Sequence, residues 1–387
     1  MTISGEFRQA LFTLVASIIA GALAGSIAGW LFVQAPVLPN EILIAVPSQT
    51  TGTAPMPDIK VIPVDRTPLE PIVPPAFAER RTSSIATVYA VHPSKNASDL
   101  LLREDVLTLA VAITSDGWFV APQDAIEDRR IEDLLFWHDG RVATATKAVA
   151  DDRGGVIFFK TDLDSLTSPA FARYQDVSRG LAAWLERRSG SFEAVSVTAL
   201  NDDADNLQGR TSRRVFRRLL LTGLSRDGHT GAPVWGMNGT LLGIVDSGPD
   251  EPLRVLPASA WSPSLSYVLL GEKVMHADLG VRAADLVYLR LLRPEEHMPK
   301  RGAWLLRDKA ASLPAIDRGS AAAVAGLKEY DVIQRIDRDI LDGTADLAEI
   351  LAQYKPGSDV TLAVIRNGEV IDIPVTLGSV VVSRELK

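Results

Sequence analysis

The chain has no cysteine in its 387 residues, which excludes disulfides, thiolate metal sites and a cysteine nucleophile. That absence is compatible with an oxidising compartment without requiring one. Histidine is scarce too: His92, His138, His229, His276 and His297 are the five, so an imidazole base or ligand has few places to stand. Positive charge is not in excess. The net charge of −8 argues against a nucleic-acid partner, and the one basic cluster, Arg213-Arg214-Val215-Phe216-Arg217-Arg218, reads as a solvated strand edge. Asp202-Asp203-Ala204-Asp205-Asn206 lacks the glycine and the distal glutamate of a calcium loop and reads as a polar turn. Neither a metal nor a cofactor is expected.

Charge is missing altogether from Ala10 to Val33, a run of 24 positions. As a helix such a run spans about 36 Å at ~1.5 Å per residue, enough for a hydrocarbon core of roughly 30 Å. The expectation is a transmembrane helix. The competing reading is a cleaved signal peptide, whose apolar core runs only about 7–15 residues, and Pro36 after Ala35 spoils the obvious small-residue cut. Arg8 precedes the run and no Lys or Arg comes after it before Lys60, which places the bulk of the chain outside the cytoplasm. Gly21, Gly25 and Gly29, with Ser17 one turn earlier, form a ridge without bulk on one helix face, suited to close helix packing. From Gln34 to about Glu79 the chain holds 10 of its 23 prolines and reads as an extended tether. Short pieces, Ile42 to Val46 or Ile59 to Ile62, are the parts that could instead pack on a domain.

Beyond the tether the chain is long enough for two domains. Gly228-His229-Thr230-Gly231-Ala232-Pro233 has the shape of a serine-protease nucleophile loop with threonine in place of the serine. Upstream, Ile113 to Ile126 reads as a strand, an Asp116-Gly117 turn and a second strand entering a loop. Asp151-Asp152-Arg153-Gly154-Gly155-Val156-Ile157-Phe158-Phe159-Lys160 and Gly239-Thr240-Leu241-Leu242-Gly243-Ile244 come later in the chain. In this order the segments resemble the trypsin-like domain of the HtrA serine proteases. Position by position, the resemblance puts the family's histidine on Asp124, its aspartate on Gly155 and its serine on Thr230. All three are substituted. A hydroxyl near neutral pH needs a base to take its proton and a third group to orient that base. Asp124 is a far weaker base than imidazole, Gly155 orients nothing, and the methyl of Thr230 stiffens χ1 and crowds the approach. His229, beside Thr230, is the remaining candidate base, although neighbours on a tight turn point apart. Thr108-Leu109-Ala110 stand where active members carry Gly-Ser-Gly.

The last hundred residues carry a second resemblance. Leu279-Gly280-Val281, the run Gly319 to Leu327, Asp331-Val332-Ile333, Leu347 to Leu351, and the Asn367-Gly368 turn look like an HtrA-type PDZ domain. Such a domain takes an extended peptide as an added strand, and the resemblance implies that backbone N–H groups at Leu279, Gly280 and Val281 receive it. Two residues depart from the pattern. Asp278 stands where an aromatic is usual, and its charge would repel a terminal carboxylate unless it points to solvent. Tyr330 replaces a glycine at a bend. Both departures suit a weak or internal-sequence ligand.

The fold expected is mostly β: a trypsin-like double β-barrel followed by an α+β PDZ domain, with one N-terminal transmembrane helix. The divisions are 1–34 anchor, 35–81 tether, 82–272 degenerate protease domain and 273–387 PDZ domain. No catalytic set is intact at Asp124, Gly155 and Thr230, and Gly228, His229 and Thr230 are the remnant of the oxyanion loop. The expected role is a membrane-anchored pseudoprotease of the bacterial periplasm, a scaffold, adaptor or regulatory subunit. Its expected partners are a protein or peptide ligand in the PDZ groove, the membrane, and further subunits in a homo- or hetero-oligomer. The alternative is an endopeptidase with an altered triad in periplasmic protein quality control.

Overall fold

The structure, a computed structural model, describes residues 77, 84–90, 101–126, 129–201, 210–226, 229–289 and 298–386. The apolar run with Gly21, Gly25 and Gly29, the proline-rich stretch, the polar turn at Asp202 to Asn206, and Gly228 lie outside these residues.

Six strands build a first antiparallel barrel: β1 (Ile85–Ala90), β2 (Val106–Ala112), β3 (Trp118–Pro122), β4 (Leu134–His138), β5 (Arg141–Asp151) and β6 (Val156–Thr161). The order β5-β4-β1-β2-β3-β6 closes through β5 and β6. Alternation sets which way each strand faces, as a pleat with a period of two requires. On β5, Ala143 and Ala145 turn inward while Thr144 and Thr146 face solvent. Small alanines leave room for Phe119, Phe136 and Phe159, which fill the barrel with the Phe136 and Phe159 ring centroids 5.2 Å apart.

A second closed barrel uses β7 (Ala182–Glu186), β8 (Phe192–Ala199), β10 (Leu219–Leu224), β11 (Pro233–Gly236), β12 (Leu241–Val245) and β13 (Pro252–Pro257). Its core is Leu and Val. Trp235, Trp261 and Phe158 join a third apolar cluster with residues of both barrels, and the buried Trp235 indole N–H donates to Glu186 Oε2 at 2.9 Å. Two short helices come next, α1 (Ala258–Trp261) and α2 (Leu265–Leu270).

The remaining elements are β14 (Met275–Asp278), β15 (Arg282–Asp285), β16 (Ala303–Leu305), α3 (Ala321–Val324), β17 (Val332–Ile336), β18 (Asp339–Ile340), α4 (Leu347–Leu351), β19 (Asp359–Arg366), β20 (Glu369–Thr376), β21 (Gly378–Val381) and β22 (Ser383–Glu385). The sheet runs β20-β19-β17-β16-β15 around a core that includes Leu279, Leu305, Ile333, Ile350, Leu351 and Leu362. Asn367 and Gly368 both take positive φ, 53° and 84°, the left-handed pair that a tight hairpin between β19 and β20 requires. Tyr330 keeps the left-handed bend of the glycine it stands for, at φ 75°.

Two strands cross the expected boundary at residues 272 and 273. β9 (Arg210–Thr211) arises in the barrel half but pairs with β15. β22 leaves the C-terminal sheet and pairs with β5. The segment carrying β9 corrects the reading of the basic cluster. Arg217 is buried against Glu349, Arg213 pairs with Asp278 and Asp317, and Arg218 pairs with Asp246. Composition marked these arginines as polar surface, whereas Arg213, Arg217 and Arg218 each meet a carboxylate distant in sequence.

Candidate functional site

β3 ends at Pro122, and a single turn of 3₁₀ helix, Gln123–Ala125, leaves Asp124 exposed. The Gln123 N–H donates to the Gly155 carbonyl at 3.0 Å, tying this turn to the loop between β5 and β6. That loop is shaped by Asp151, whose Oδ1 accepts the N–H groups of Arg153 and Gly154, each at 3.0 Å. Asp124 and Gly155 thereby line one cleft of about 400 Å³ with Asp152, Asp246, Arg214, Arg218 and Arg384. No histidine is among the described residues that line it.

Beside Gly155 lies a guanidinium. A Cβ added there would lie 3.6 Å from Arg218 Nη2, and Arg218 Nε is salt-bridged to Asp246. An ion pair thus sits where the family's carboxylate would extend. Gly155 itself is at φ 70°, which a side chain adopts only with strain. Nearby, Asp152 Oδ1 accepts from Gln123 Nε2 at 3.0 Å and from Arg384 Nε at 3.4 Å. Gln123 Oε1 and Asp246 Oδ1 are buried without a hydrogen-bond partner among the described residues, so the cleft offers acceptors as well as guanidinium donors.

Thr230 sits on the turn before β11. Gly231 is at φ 79°, and a Cβ there would lie 1.9 Å from the Leu109 carbonyl, so only glycine fits. The Thr230 carbonyl accepts from Leu109 N–H at 2.8 Å and Thr108 Oγ1 at 3.1 Å. Thr108 and Leu109 therefore brace the turn from below. The Thr230 hydroxyl donates to the Ser247 carbonyl at 3.1 Å. His229 does not serve as its base: its Nδ1 accepts from the Arg226 N–H at 3.1 Å, which puts the proton of the neutral ring on Nε2. Burial holds the His229 pKa below its usual value and keeps the ring neutral. On its outer side His229 borders a depression of about 550 Å³ with Arg103, Arg187, Arg188, Arg226 and Trp137.

A serine, a histidine and an aspartate do meet elsewhere. Ser264 Oγ donates to Asp151 Oδ2 at 2.5 Å and lies 3.0 Å from His276 Nε2, so it accepts from the ring. The proton order runs from His276 to Ser264 to Asp151, the reverse of what nucleophile activation needs. All three side chains are buried at the junction of β5, α2 and β14. Burial pushes the Asp151 carboxyl up, but His276, Ser264 and the Gly154 N–H outweigh it and hold the group below its ordinary value. The cluster clasps the chain; substrate cannot reach it.

The Leu279-Gly280-Val281 loop has the expected form, with Gly280 at φ 70° and its missing Cβ only 2.3 Å from Ser320 Cβ. Two of its N–H groups are already engaged, which corrects the expectation of an open receptor. Gly280 N–H donates to Asp278 Oδ1 at 3.0 Å, and Val281 N–H donates to Ser212 Oγ at 3.2 Å. Asp278 is buried, so its carboxylate is turned toward its own loop and away from solvent.

Comparison with known proteins agrees with this architecture. The PDZ domain family matches residues 277–377. A solved structure of the HtrA-type protease AlgW with a decapeptide superposes with a TM-score of 0.52 at 17% identity, over 79% of this chain and 98% of that one. The chain has the HtrA-type architecture with one PDZ domain. A probable periplasmic serine endoprotease, DegP-like, of Halomonas elongata is 23% identical over 271 residues, 69% of this chain and 55% of the relative. The periplasmic pH-dependent serine endoprotease DegQ of Escherichia coli is 23% identical over 357 residues, 87% of this chain and 74% of the relative. This HtrA-type chain spans about half the length of most of the curated relatives it matches.

Sequence reasoning located Asp124, Gly155, Thr230 and the PDZ loop, but it missed Arg218, Asp246 and Ser212. The signal for Arg218 and Ser212 was present in the cluster of arginines after Thr211. Carboxylate partners at Arg213, Arg217 and Arg218 tie the patch to distant parts of the chain, and such partners become visible only in three dimensions.

Proposed function

We infer that this HtrA-type chain is a pseudoprotease that works by binding, as a scaffold, adaptor or regulatory subunit. The observation that carries the reading is the Arg218–Asp246 ion pair beside Gly155, in a cleft that Asp124 borders without a histidine. A nucleophile there would have no base to deprotonate it and no carboxylate to orient one. The Thr230 hydroxyl, donated to Ser247, is committed to the fold of the turn. The charge-free run from Ala10 to Val33 supports a membrane anchor, and the periplasmic relatives support a periplasmic setting. The PDZ domain and the decapeptide in AlgW support a peptide or protein as the class of partner.

The test is labelling with a fluorophosphonate probe together with turnover of unfolded casein. The expected result is neither labelling at Thr230 nor release of casein fragments. Turnover that disappears in Thr230→Ala would replace this reading with an endopeptidase of altered triad.

A further inference from the structure

The groove of the PDZ domain lies between β15 and α4, and the chain's own segment Arg210 to Arg217 fills it. Arg210 and Thr211 pair antiparallel with Ala283 and Arg282. Ser212 continues the ladder, its N–H donating to the Val281 carbonyl at 2.9 Å. Next to the loop, Asp278 Oδ1 accepts from both Gly280 N–H at 3.0 Å and Ser212 Oγ at 2.8 Å. A carboxylate from the domain itself therefore occupies the position at which a peptide terminus would be received. On the helix side, Asp346 Oδ2 accepts the N–H groups of Phe216 and Arg217 at 2.8 and 3.2 Å. A void of about 30 Å³ remains among Arg210, Phe216, Asp285 and Leu347, room for about one water.

The chemistry of the walls is acidic and that of the occupant basic. Arg213 reaches Asp278 at 2.8 Å and Asp317 at 3.0 Å, and Arg217 reaches Glu349 at 2.5 Å. Arg210 acts on Asp285, whose carboxyl burial pushes up to about 6. The guanidinium carbons of Arg210 and Arg214 lie 5.2 and 5.9 Å from the Phe216 ring centroid.

We propose that this groove is specific for a basic, extended, internal segment without a free carboxylate, that residues 210–217 are its built-in ligand, and that an outside partner enters only by displacing them. A terminal carboxylate meets Asp278 and is repelled, whereas arginines meet the acidic wall. Since Arg218 is the next residue along, displacement also draws the guanidinium away from Gly155 and Asp246 and opens the degenerate catalytic cleft.

The chain has no cysteine, so a cysteine pair reports on one contact alone. Arg210 and Ala283 are direct cross-strand partners, and such pairs have Cα atoms about 5.5 Å apart, within disulfide range. In the Arg210→Cys, Ala283→Cys chain, mild oxidation is expected to cross-link the pair in the folded protein. Failure to cross-link, with both thiols open to a maleimide, would overturn the proposal. Binding is then read by fluorescence anisotropy with two labelled peptides of residues 204–213, one amide-capped and one ending in a free carboxylate at Arg213, the residue that reaches Asp278. In the Ser212→Pro chain, which lacks the N–H bonded to Val281, the capped peptide is expected to bind at least about tenfold more tightly than in the unaltered chain. It is also expected to exceed the free-carboxylate form. Cross-linking the cysteine pair should weaken capture of the capped peptide by about tenfold, and reduction should restore it. Equal binding to cross-linked and reduced protein, or preference for the free carboxylate, would sink the idea. If Ser212→Pro does not fold, the cross-linked and reduced forms decide between the same outcomes.

Discussion

Arg217 and Glu349 meet as a two-pronged pair, Nε to Oε2 at 2.5 Å and Nη2 to Oε1 at 2.7 Å, with side-chain exposures of 1% and 0%. One residue belongs to the barrel half of the chain and the other to α4. Their burial commits the two halves to each other, because neither charge tolerates loss of its partner. Arg217→Ala should destabilise the chain by about 3–5 kcal/mol by leaving a buried carboxylate unpaired, whereas Arg217→Met combined with Glu349→Leu should lie within about 1–2 kcal/mol of the unaltered chain. Equilibrium unfolding in urea checks both. A small loss in the single variant would mean that water reaches Glu349.

Asp285 gives a pH dependence of determined sign. Its folded-state pKa is about 6, above the ordinary 3.8, because burial disfavours the carboxylate. The folded chain thus binds this proton more readily than the unfolded chain does. The contribution is fully present below the ordinary value and is lost as pH rises through about 6. Asp285→Asn removes the charge while keeping an oxygen for the Val287 N–H, which the present carboxylate accepts at 2.9 Å. The variant should melt about 2–4 °C higher than the parent near pH 7.5, with the two converging near pH 4. An equal difference at both pH values in a thermal melt would show that the effect is not titration.

Rebuilding the triad should fail for a reason visible at Gly155. In the variant Asp124→His, Gly155→Asp, Thr230→Ser, the new carboxylate must adopt φ 70° and sits beside Arg218, which Asp246 already holds. Left-handed backbone costs an L-residue roughly 1–2 kcal/mol, and the carboxylate should pair with the guanidinium and not with the new imidazole. No casein turnover is expected. A single-site change, Thr230→Ser alone, should be equally silent because the base is still absent. Hydrolysis by the triple variant would show that Arg218 yields its place.

Tyr330 is a large side chain in a left-handed bend, φ 75°, and more than half exposed. Its ring lies 6.3 Å from Trp304, a tilted contact that offers some compensation. Tyr330→Gly should still stabilise the PDZ half by up to about 1 kcal/mol, the relief of strain exceeding the entropy that glycine adds to the unfolded chain. Urea unfolding followed by far-UV circular dichroism reads the change. A loss of stability would show that the Trp304 contact outweighs the bend.

Much of this architecture was legible in order along the chain. Strand alternation, the Asp116-Gly117 and Asn367-Gly368 turns, and the glycines at 231 and 280 each satisfy a local rule, and local rules survive in sequence. Which residues stand at the positions the resemblance assigns to the triad, Asp124, Gly155 and Thr230, is read from the sequence directly. The occupant of the PDZ groove was not legible. Ser212 reaches Val281 and Asp278 across more than sixty positions, and nothing in the polarity of Arg-Arg-Val-Phe-Arg-Arg distinguishes arginines in water from arginines against Asp278, Asp346 and Glu349. Arg153 was hidden likewise: between Asp152 and the Gly154-Gly155 pair it looks exposed, yet its guanidinium is buried and donates to the carbonyls of Ala277 and Ala348.

The return of β22 to the first barrel changes what kind of attachment the PDZ half has. Its entry at Val274 and its exit at Val382 and Ser383 are stitched together, Val382 N–H to the Val274 carbonyl at 3.1 Å and Val274 N–H to Ser383 Oγ at 3.0 Å. A domain whose two connections leave from one seam cannot swing on a single flexible string. The two halves are held at three places, the β14–β21 seam, β22 on β5 and β9 on β15. The occupied groove is thus one of the fastenings that fix the C-terminal half on the barrels.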